Sequence, residues 1–447
     1  MSTGPDIFRC PGCQASLDTS GPDWRCQGCH EIFPLCDGIP WLYRDVASSR
    51  AQWASKLQLL RATQGSRIKE MQTSLTGNGL LPATRARLER LVQALESQLD
   101  QLLELLGVFE LDSVSLEVSL PRDRIPSQQH FGSYFETIFR DWAWGESEVE
   151  AATEITASLL GGDRAGQRLL VLGGGAGRLS CELARSAPWG QVVQLDINPL
   201  LTRIGALLAA GRPFKLTEIP NLPGRLGSVA IEHELTGIEP GAPLYFALGD
   251  VFAPPFESES FDVLVTPWLI DILPEDFRLV ARRLNRLLAE GGSWISFGPL
   301  SFESHPSAAR YTREEVFEAL AEAGFDVESH EQREVPYLHS PNGSSRRHEQ
   351  ILIFQARKRD TAASVPDFSF YPDWMSDSSL PVPRSEAWQR MQHERIFDLE
   401  ILSLIDGRAS IQDMVKSLAR KYSLAPERCA AAVGRFFSSI FEKNRKS

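Results

Sequence analysis

The stretch LLVLGGGAGRLSCELA, Leu169 to Ala184, decides the fold class. Its four leading apolar residues predict a buried parallel strand, and the residues from Arg178 onward have the period of an amphipathic helix. Between the two lie Gly173, Gly174, Gly175 and Gly177. Because glycine stabilises neither a helix nor a strand, this run indicates a turn that lets the backbone approach a ligand closely.

Acids follow the strands that come after this turn. The segment QVVQLDIN places Asp196 at a strand end about twenty residues on, where an acid accepts both hydroxyls of a ribose. The segment ALGDVFAPPF places Asp250 after a third strand, where this acid and the amide of Val251 are expected to meet an adenine ring. With a fourth strand in FDVLVTPWLIDIL, the pattern predicts an adenosyl pocket in a Rossmann-like domain. Both S-adenosylmethionine and NAD suit such a turn.

Composition limits the classes of protein to which the chain can belong. The net charge of −12 over 447 residues argues against broad contact with nucleic acid. We expect a cytoplasmic protein without a membrane partner, since no apolar run reaches roughly 18 residues and the N-terminus lacks a signal-peptide pattern. Changes in texture predict five regions: a zinc ribbon at 1–45, a helical segment at 46–127, an α/β domain at 128–360, a linker at 361–385 and a small helical domain at 386–447.

Four of the seven cysteines form one metal-binding pattern. Cys10 and Cys13, then Cys26 and Cys29, make two C-x2-C turns separated by twelve residues. Each turn directs two thiolates at one point, and two turns complete a tetrahedral site that suits zinc. Four thiolates leave no open position for water, so the site is predicted to be structural. His30 and Cys36 are minor alternative ligands.

Residues of about 128 to 358 resemble the carnosine N-methyltransferase family. Six segments carry the resemblance in order: TIFRDWAWGESEVE, VLGGGAGRLSCELA, FDVLVTPWLIDIL, LLAEGGSWISFGPLSF, YTREEVFEALAEAGFDV and HEQILIFQARK. The resemblance implies a seven-stranded Rossmann-like sheet that binds S-adenosylmethionine and methylates an imidazole nitrogen of a histidine-containing dipeptide. The expected cofactor-binding residues are Arg140, Trp142, Gly173, Gly175, Gly177, Arg178, Asp196, Asp250 and Val251.

The expected acceptor site follows from the chemistry of an imidazole. A neutral imidazole has a lone pair on one nitrogen, and a carboxylate that accepts the N–H of the other nitrogen presents this lone pair for attack. The resemblance implies that Asp271 holds the ring; its alternative role is to cap the helix that follows. Tyr337 and His348 are the other expected catalytic residues. His339 lies in the same region, and Trp268 is a candidate wall of the pocket.

The sequence departs from this family in ways that bear on substrate. The turn reads Gly-Gly-Gly-Ala-Gly rather than a Pro-Gly-x-Gly version, Asp196 stands where the family tends to carry Glu, and His348 stands where it tends to carry Tyr. The dipeptide substrate therefore does not follow directly from the resemblance. The expected substrate is a small molecule or peptide with an imidazole.

The last 60 residues carry a separate resemblance. The segment from Asp398 to Phe441 predicts three short helices, with a turn at Gly407 and an N-cap at Ser410. It resembles the small winged-helix chaperone domain of pyrroloquinoline quinone biosynthesis, and related domains hold leader peptides. This implies a leader peptide as the partner of the C-terminal domain. Two alternative functions for the whole chain are an RNA methyltransferase, suggested by the zinc ribbon, and a non-catalytic S-adenosylmethionine-binding module.

Overall fold

The computed structural model describes residues 6–114, 125–126, 129–161, 163–344, 346–368, 379–383 and 386–446. Parts of the predicted zinc ribbon, helical segment, linker and helical domain lie outside these described residues, namely 1–5, 115–124, 127–128, 369–378, 384–385 and 447. The chain divides into two compact units, Met1–Pro372 and Asp373–Ser447, each of which is described by itself.

The larger unit is an α/β structure. Its strands are β1 Leu17–Asp18, β2 Trp24–Cys26, β3 Ile32–Phe33, β4 Leu35–Cys36, β5 Ile39–Leu42, β6 Arg168–Leu172, β7 Gln191–Asp196, β8 Phe214–Glu218, β9 Ile231–Leu235, β10 Leu244–Gly249, β11 Phe261–Pro267, β12 Leu288–Gly298, β13 Phe325–Tyr337 and β14 Arg347–Lys358. Its helices are α1 Val46–Thr76, α2 Pro82–Leu106, α3 Phe135–Phe139, α4 Glu146–Leu160, α5 Arg178–Ser186, α6 Pro199–Ala209, α7 Phe277–Asn285 and α8 Arg313–Glu322.

Nine of the described strands form one sheet, in the order β13-β14-β12-β11-β6-β7-β10-β5-β4. The first seven of these strands are the predicted Rossmann-like sheet, which confirms the fold class. Strands β12, β11, β6, β7 and β10 run parallel to their neighbours, whereas β14 is antiparallel to both β12 and β13. Because parallel strands end at the same edge, the residues that follow β6, β7, β10 and β11 meet there.

The core of the sheet is apolar on both faces. All four residues from Leu169 to Leu172 in β6 are at most 1% exposed, as a strand covered by helices on both sides requires. Burial of one such side chain contributes roughly 1.5–3 kcal/mol. These strands therefore form a rigid base, and the loops at their carboxyl ends can carry the polar groups.

The N-terminal segment extends the sheet beyond the predicted seven strands. Strands β1 to β3 form a small antiparallel sheet around the four cysteines, and β5 then pairs in parallel with β10. Trp41 and Leu42 in β5 are fully buried, and the hydroxyl of Tyr43 donates a hydrogen bond to the carbonyl of Ile197, one residue beyond β7. The N-terminal segment is thus built into the edge of the nine-stranded sheet.

The long helices α1 and α2 form a hairpin that packs beside strand β8. Asp45 begins α1, where its carboxylate accepts a hydrogen bond from the amide of Ser48 at 2.9 Å. The side chain of Gln98 in α2 donates to the carbonyl of Thr217 at 2.8 Å. The hairpin therefore lies against the α/β domain.

The C-terminal unit consists of helices and turns in its described residues. Its helices are α9 Glu386–Ser403, α10 Ile411–Tyr422 and α11 Pro426–Lys446, and its buried centre contains Ile401, Leu418, Cys429 and Val433. Ser410 caps α10, as the sequence predicts, and forms a reciprocal capping box with Asp413. No helix in the described parts of the chain is both long and apolar enough to span a membrane.

Candidate active site

A cavity of about 810 Å³ opens at the carboxyl ends of the central strands. This volume lies in the usual range for small-molecule sites. Of the twelve expected catalytic and cofactor-binding residues, eight line it: Arg140, Gly173, Gly175, Asp196, Asp250, Val251, Asp271 and Tyr337. The cavity thus brings together side chains from most of the length of the α/β domain.

The glycine turn forms the floor of one end of this cavity. Gly173 and Gly175 have φ of +68° and +60°, a conformation that favours glycine. Gly177 does not line the cavity: a Cβ there would lie 2.9 Å from the Cα of Gly205 in α6. Its glycine therefore serves helix packing, whereas the first two let the backbone follow the cavity wall.

Asp196 ends strand β7 and is joined to the glycine turn. Its Oδ2 accepts a hydrogen bond from the amide of Gly175 at 3.1 Å, and its Oδ1 accepts one from the amide of Asn198 at 2.8 Å. Burial outweighs these bonds and raises the pKa of Asp196 from 3.8 to about 6. The amide of Ile197 also lowers this pKa, so three backbone amides hold a carboxylate that has about four acceptor positions.

Asp250 follows strand β10 beside Asp196. Its Oδ1 accepts a hydrogen bond from the amide of Phe252 at 3.0 Å, and Val251 between them lines the cavity. The ring of Phe252 stacks on that of Phe368, with centroids 4.2 Å apart. This end of the cavity is therefore a flat apolar surface next to an acid, an arrangement that suits a heteroaromatic ring with an amino group.

Phe368 comes from a segment that follows the last strand. Arg44 forms an ion pair with Asp367 at 3.2 Å and donates to the carbonyl of Phe368 at 3.1 Å, while Arg283 donates to the carbonyl of Pro366 at 3.2 Å. The described first part of the predicted linker, residues 361–368, thus packs against the α/β domain and supplies one wall of the cavity.

The Arg-Asp-Trp segment places one charged pair in the cavity. Residues Arg140–Trp144 form one π-helical turn, a local geometry that is frequent at functional sites. Arg140 donates to Asp141 at 2.7 and 2.9 Å, and both line the cavity. Burial raises the pKa of Asp141, which Arg140 opposes. The guanidinium of Arg140 is therefore held in the cavity by its ion pair with Asp141.

Trp142 and Arg178 lie behind this cavity wall and do not line it. The indole N–H of Trp142 donates to the carbonyl of Ala176 at 2.8 Å, and the Arg178 guanidinium lies 5.4 Å from the Trp142 ring. Arg178 also pairs with Glu182 at 2.9 Å. Trp142 therefore supports the glycine turn from outside the cavity, whereas Arg178 bonds Glu182 and the carbonyl of Asp141.

Asp271 lies at the opposite end of the cavity, in the loop after β11. It is 4% exposed, and its Oδ2 accepts a hydrogen bond from the amide of Ser301 at 3.2 Å. The alternative that it caps the next helix is wrong, because Asp276 begins α7 and accepts from the amide of Arg278 at 2.9 Å. Burial, with a smaller contribution from the carboxylate of Glu349, raises the pKa of Asp271.

Aromatic side chains surround this end of the cavity. Trp268 has a φ of +44°, an uncommon conformation for a tryptophan, and its indole N–H donates to Glu349 Oε2 at 2.8 Å. The rings of Trp268 and Tyr337 lie 5.6 Å apart, and the guanidinium of Arg347 lies 4.6 Å from the Tyr337 ring. Arg347 also pairs with Glu349. Two carboxylates, two aromatic rings and one guanidinium therefore face this end.

Gly298 permits the unusual conformation of Trp268. A Cβ at position 298 would lie 3.0 Å from the Cα of Trp268, tighter than ordinary contact. Backbone strain of this kind costs on the order of 1–3 kcal/mol and is concentrated at functional sites. The glycine of the segment GPLSF thus lets strand β12 hold the loop that carries Trp268.

His348 and His339 lie outside the cavity lining. Their rings form an edge contact, with centroids 4.6 Å apart, on the β13–β14 hairpin. His348 is exposed, whereas Arg347, Glu349 and Gln350 beside it line the cavity. The structure therefore places Glu349, rather than His348, beside Trp268.

Sequence reasoning did not single out Glu349 or Glu148. Glu148 in α4 accepts hydrogen bonds from the amides of Leu338 and His339, at 3.0 and 2.8 Å, and so fixes the turn after Tyr337. These contacts join residues about 190 positions apart. One signal was available: Glu349 lies within the family-like segment HEQILIFQARK.

The four cysteines converge as the sequence predicts. The sulfur atoms of Cys10, Cys13, Cys26 and Cys29 all lie within 4.8 Å of one another, with Cys13 and Cys26 3.4 Å apart and Cys10 and Cys29 3.6 Å apart. A zinc ion with Zn–S bonds of about 2.3 Å places tetrahedral sulfurs about 3.8 Å apart. The cluster fits such an ion, and neither His30 nor Cys36 belongs to it.

Comparison with known proteins supports a methyltransferase domain. Residues 170–296 match the family model described as a methyltransferase domain, which identifies such a domain in this part of the chain. The matched region includes the glycine turn, Asp196, Asp250 and Asp271. No curated protein matches the chain.

Solved structures with a similar fold include three methyltransferases. One from Mesorhizobium loti, described as S-adenosylmethionine-dependent, is 16% identical over 47% of this chain and 100% of its own, with a TM-score of 0.32. One from Methanosarcina mazei is 17% identical over 43% and 93%, with a TM-score of 0.31. Phosphoethanolamine N-methyltransferase 2 of Haemonchus contortus is 17% identical over 54% and 60%, with a TM-score of 0.35. Likenesses at this level carry no argument about substrate.

Proposed function

We propose that this chain is an S-adenosylmethionine-dependent N-methyltransferase that acts on an imidazole nitrogen of a small molecule or peptide. The observation that carries the proposal is Asp271, a buried carboxylate that lines the cavity and leaves the capping of α7 to Asp276. The methyltransferase domain match supports the reaction class, and the resemblance to the carnosine family supports the imidazole.

The residues of one cavity end fit S-adenosylmethionine. The carboxylate of Asp196 lines the cavity and is the candidate acceptor for the ribose hydroxyls, and Asp250 with the amide of Val251 offers an acceptor and a donor to adenine. Arg140 is the candidate partner for the carboxylate of the amino-acid part. When bound, the cofactor supplies an electrophilic methyl group on a sulfonium.

Asp271 has three roles toward the acceptor. Its carboxylate accepts the N–H of the imidazole and so presents the lone pair of the other nitrogen. Transfer of the methyl group to this nitrogen would break the sulfur–methyl bond and release S-adenosylhomocysteine, and the carboxylates of Asp271 and Glu349 would stabilise the cationic ring. Asp271 then accepts the ring proton, which leaves a neutral N-methylimidazole.

Trp268 and Tyr337 position the ring. Their rings, 5.6 Å apart, bound the acceptor end, and their apolar faces exclude water from the nitrogen that reacts. Holding a nucleophile in line with its partner accounts for a large share of the rate of a two-substrate reaction. The aromatic pair therefore supplies orientation, while the acids supply charge.

The four cysteines are proposed to hold one structural zinc ion.

The C-terminal unit is proposed to hold a peptide. Helix α9 exposes apolar side chains at a spacing of three residues, Ile396, Leu399 and Leu402, with Ile405 following. Such a stripe supports a role in binding a peptide that carries the modified residue. We expect Leu399→Glu to weaken methylation of a long histidine-containing peptide and to leave that of a dipeptide unchanged.

The test of the proposed reaction uses the purified full chain with methyl-deuterated S-adenosylmethionine. β-Alanyl-histidine is the imidazole acceptor, and β-alanyl-phenylalanine is its matched control. We expect a three-deuteron methyl group on a ring nitrogen of the first dipeptide only, located by mass spectrometry and NMR. Methylation at carbon or oxygen would overturn the imidazole chemistry. A chain that does not bind S-adenosylhomocysteine in calorimetry would overturn the enzyme itself.

A further inference from the structure

The segment 361–368, which we call the strap, follows the last strand of the sheet and ends in the catalytic cavity. It contains no helix or strand, and five of its eight residues are exposed. The three half-buried ones are Ala362, Val365 and Phe368, and only the last of them lines the cavity. Because β14 ends at Lys358, the strap is an addition to the sheet rather than a part of it.

One buried side chain fixes the beginning of the strap. Asn285, which is fully buried at the end of α7, donates to the carbonyl of Asp360 at 2.9 Å and accepts from the amide of Ala362 at 2.8 Å. The hydroxyl of Thr361 donates to Glu259 at 2.6 Å. These contacts set the direction in which the chain leaves the sheet.

Two arginines hold the far end of the strap by its backbone. Arg283 in α7 donates to the carbonyl of Pro366 at 3.2 Å, and Arg44 donates to the carbonyl of Phe368 at 3.1 Å. The ion pair between Arg44 and Asp367 adds little, because the Asp367 side chain is 88% exposed. The arginines therefore place the backbone of residue 368 and leave its ring free to contact the cavity.

Arg283 also joins the strap to the loop that follows β10. It donates to the carbonyl of Phe252 at 3.0 Å, and Glu275 balances its charge at 2.8 Å. The rings of Phe252 and Phe368 stack with centroids 4.2 Å apart and planes 30° from parallel, and both line the cavity beside Asp250. One buried cation thus holds the strap against the loop that is expected to meet adenine.

We propose that Phe368 is a cofactor-binding residue and that the strap closes the adenosine end of the cavity, an inference that rests on the proposed binding of S-adenosylmethionine. A heteroaromatic base that covers the half-buried ring removes apolar surface from water, so the base and the ring stabilise each other. This contact adds to those of Asp250 and Val251, which recognise the polar edge of the base.

The same contact links cofactor binding to the order of the strap. Its residues form no backbone–backbone hydrogen bond with another described residue, whereas the strands of the sheet are joined by ladders of them. The strap should therefore open at a lower free-energy cost than the sheet. A ligand that binds only when Phe368 is seated suppresses this opening by mass action.

The first test measures binding of S-adenosylhomocysteine and of adenosine to the full chain by calorimetry. Phe368→Ala should weaken both ligands by the same factor, about fivefold or more, because the ring contacts only the base. Phe368→Tyr keeps a ring and should stay within about twofold of the parent. Asp367→Ala is the matched control in the strap, because its ion pair is exposed. Thermal unfolding without ligand shows that each variant folds.

The second test follows cleavage by chymotrypsin after Phe368 in the full chain. Saturating S-adenosylhomocysteine should slow this cleavage by about fivefold or more, since the bound state excludes the open strap. Cleavage after Phe397, a half-buried residue of the C-terminal unit, is the internal control and should not change.

Three results would overturn the proposal: parent-like affinity of Phe368→Ala, a larger loss for S-adenosylhomocysteine than for adenosine, or equal cleavage after Phe368 with and without ligand. The second result would indicate a distortion that reaches the amino-acid part of the cofactor site. Failure of the parent chain to bind S-adenosylhomocysteine would overturn the proposed function itself, and with it the role of the strap.

Discussion

The two ends of the catalytic cavity are built in different ways. The cofactor end consists of strand ends and the turns that follow them, with Gly173, Gly175 and Asp196 within 24 residues of one another. The acceptor end consists of side chains from a loop and a distant hairpin, such as Asp271 and Glu349, which the antiparallel strands β13 and β14 bring together. The glycine turn and Asp196 of the first end are near neighbours in the chain, and Asp250 and Phe368 join them from farther along it, whereas every group of the second end is brought in by tertiary structure.

The largest expected effect is on turnover and comes from a substitution at the acceptor end. Asp271→Asn should lower turnover by about a hundredfold or more, about 2.7 kcal/mol, because the amide loses the anionic acceptor and favours the wrong ring tautomer. Steady-state kinetics with the enzyme's own acceptor measures turnover, and calorimetry with S-adenosylhomocysteine measures cofactor affinity. Asp276→Asn is the matched control, since Asn and Asp are comparable caps. Near-parent turnover of Asp271→Asn would remove the catalytic role.

The next effect addresses the cofactor end. Asp196→Ala should weaken binding of S-adenosylhomocysteine by roughly tenfold to a hundredfold, because a hydrogen bond to a charged group contributes roughly 1.5–3 kcal/mol. Isothermal calorimetry measures the change. Asp271→Asn should keep parent affinity in the same assay, so the two variants separate the two ends. Parent-like affinity of Asp196→Ala would show that this strand end does not hold the nucleoside.

A smaller effect is expected at Glu349. Glu349→Gln keeps an oxygen for the Trp268 indole but loses the charge that faces the acceptor, so kcat for the imidazole substrate should fall by about tenfold with a smaller change in KM. Glu331→Gln, an exposed position on the same hairpin, provides the control. If KM alone rises, Glu349 acts on substrate binding instead of on the charge that forms in the reaction.

The pH dependence of cofactor affinity sharpens the comparison further. The pKa of Asp196 is raised from 3.8 to about 6, so the carboxylate is charged at neutral pH and protonates as the pH falls through 6. Affinity for S-adenosylhomocysteine should fall about tenfold between pH 7.5 and pH 5, because only the ionised acid accepts two hydroxyls. The pH dependence of folding stability has the opposite sign. The native state without cofactor binds this proton more tightly than the unfolded state does, so the free energy of unfolding decreases as the pH rises from about 4 to 6. An Asp196→Asn variant should lose this dependence.

Loss of the metal ion should have the smallest effect on the cavity. One zinc ion per chain should co-purify, and Cys10→Ser with Cys13→Ser should release it and destabilise the ribbon. Cofactor affinity should change by no more than about threefold, because the metal-binding turns contribute no residue to the cavity lining and the contacts to that end come from Tyr43, Arg44 and β5, which follow them in the chain. Elemental analysis and calorimetry measure the two outcomes. Cys36→Ser should keep the zinc, and zinc-free fresh protein would contradict the assignment.

The contrast between near and distant contacts determines which features of the structure the sequence predicts. Period and glycine content predict the strand–turn–helix unit at 169–184, and the acids at 196 and 250 lie at strand ends, as the alternation of elements requires. The N-cap at Ser410 is a rule of four consecutive residues and is also confirmed. These features depend on interactions between near neighbours in the chain.

The rest depends on contacts between distant residues. Glu148 reaches the amides of Leu338 and His339 across about 190 positions, and Trp268 reaches Glu349 across 81. Neither pairing leaves a periodic signal in either segment. The face of β14 that reaches the cavity is likewise set by its register with β13, so the exposure of His348 and the position of Glu349 follow only from the paired strands.

Strand β5 is synthesised long before β10, the strand with which it pairs. Leu42 pairs beside Gly249, about 200 residues later in the chain, and translation at about 5–20 residues per second separates the two by roughly 10–40 s. For that interval the apolar strand IPWL, 39–42, has no sheet to join. The preceding ribbon is short enough to fold around a metal ion at once. A metal-closed ribbon would thus shield its own tail from other nascent chains until the sheet that receives it has been made.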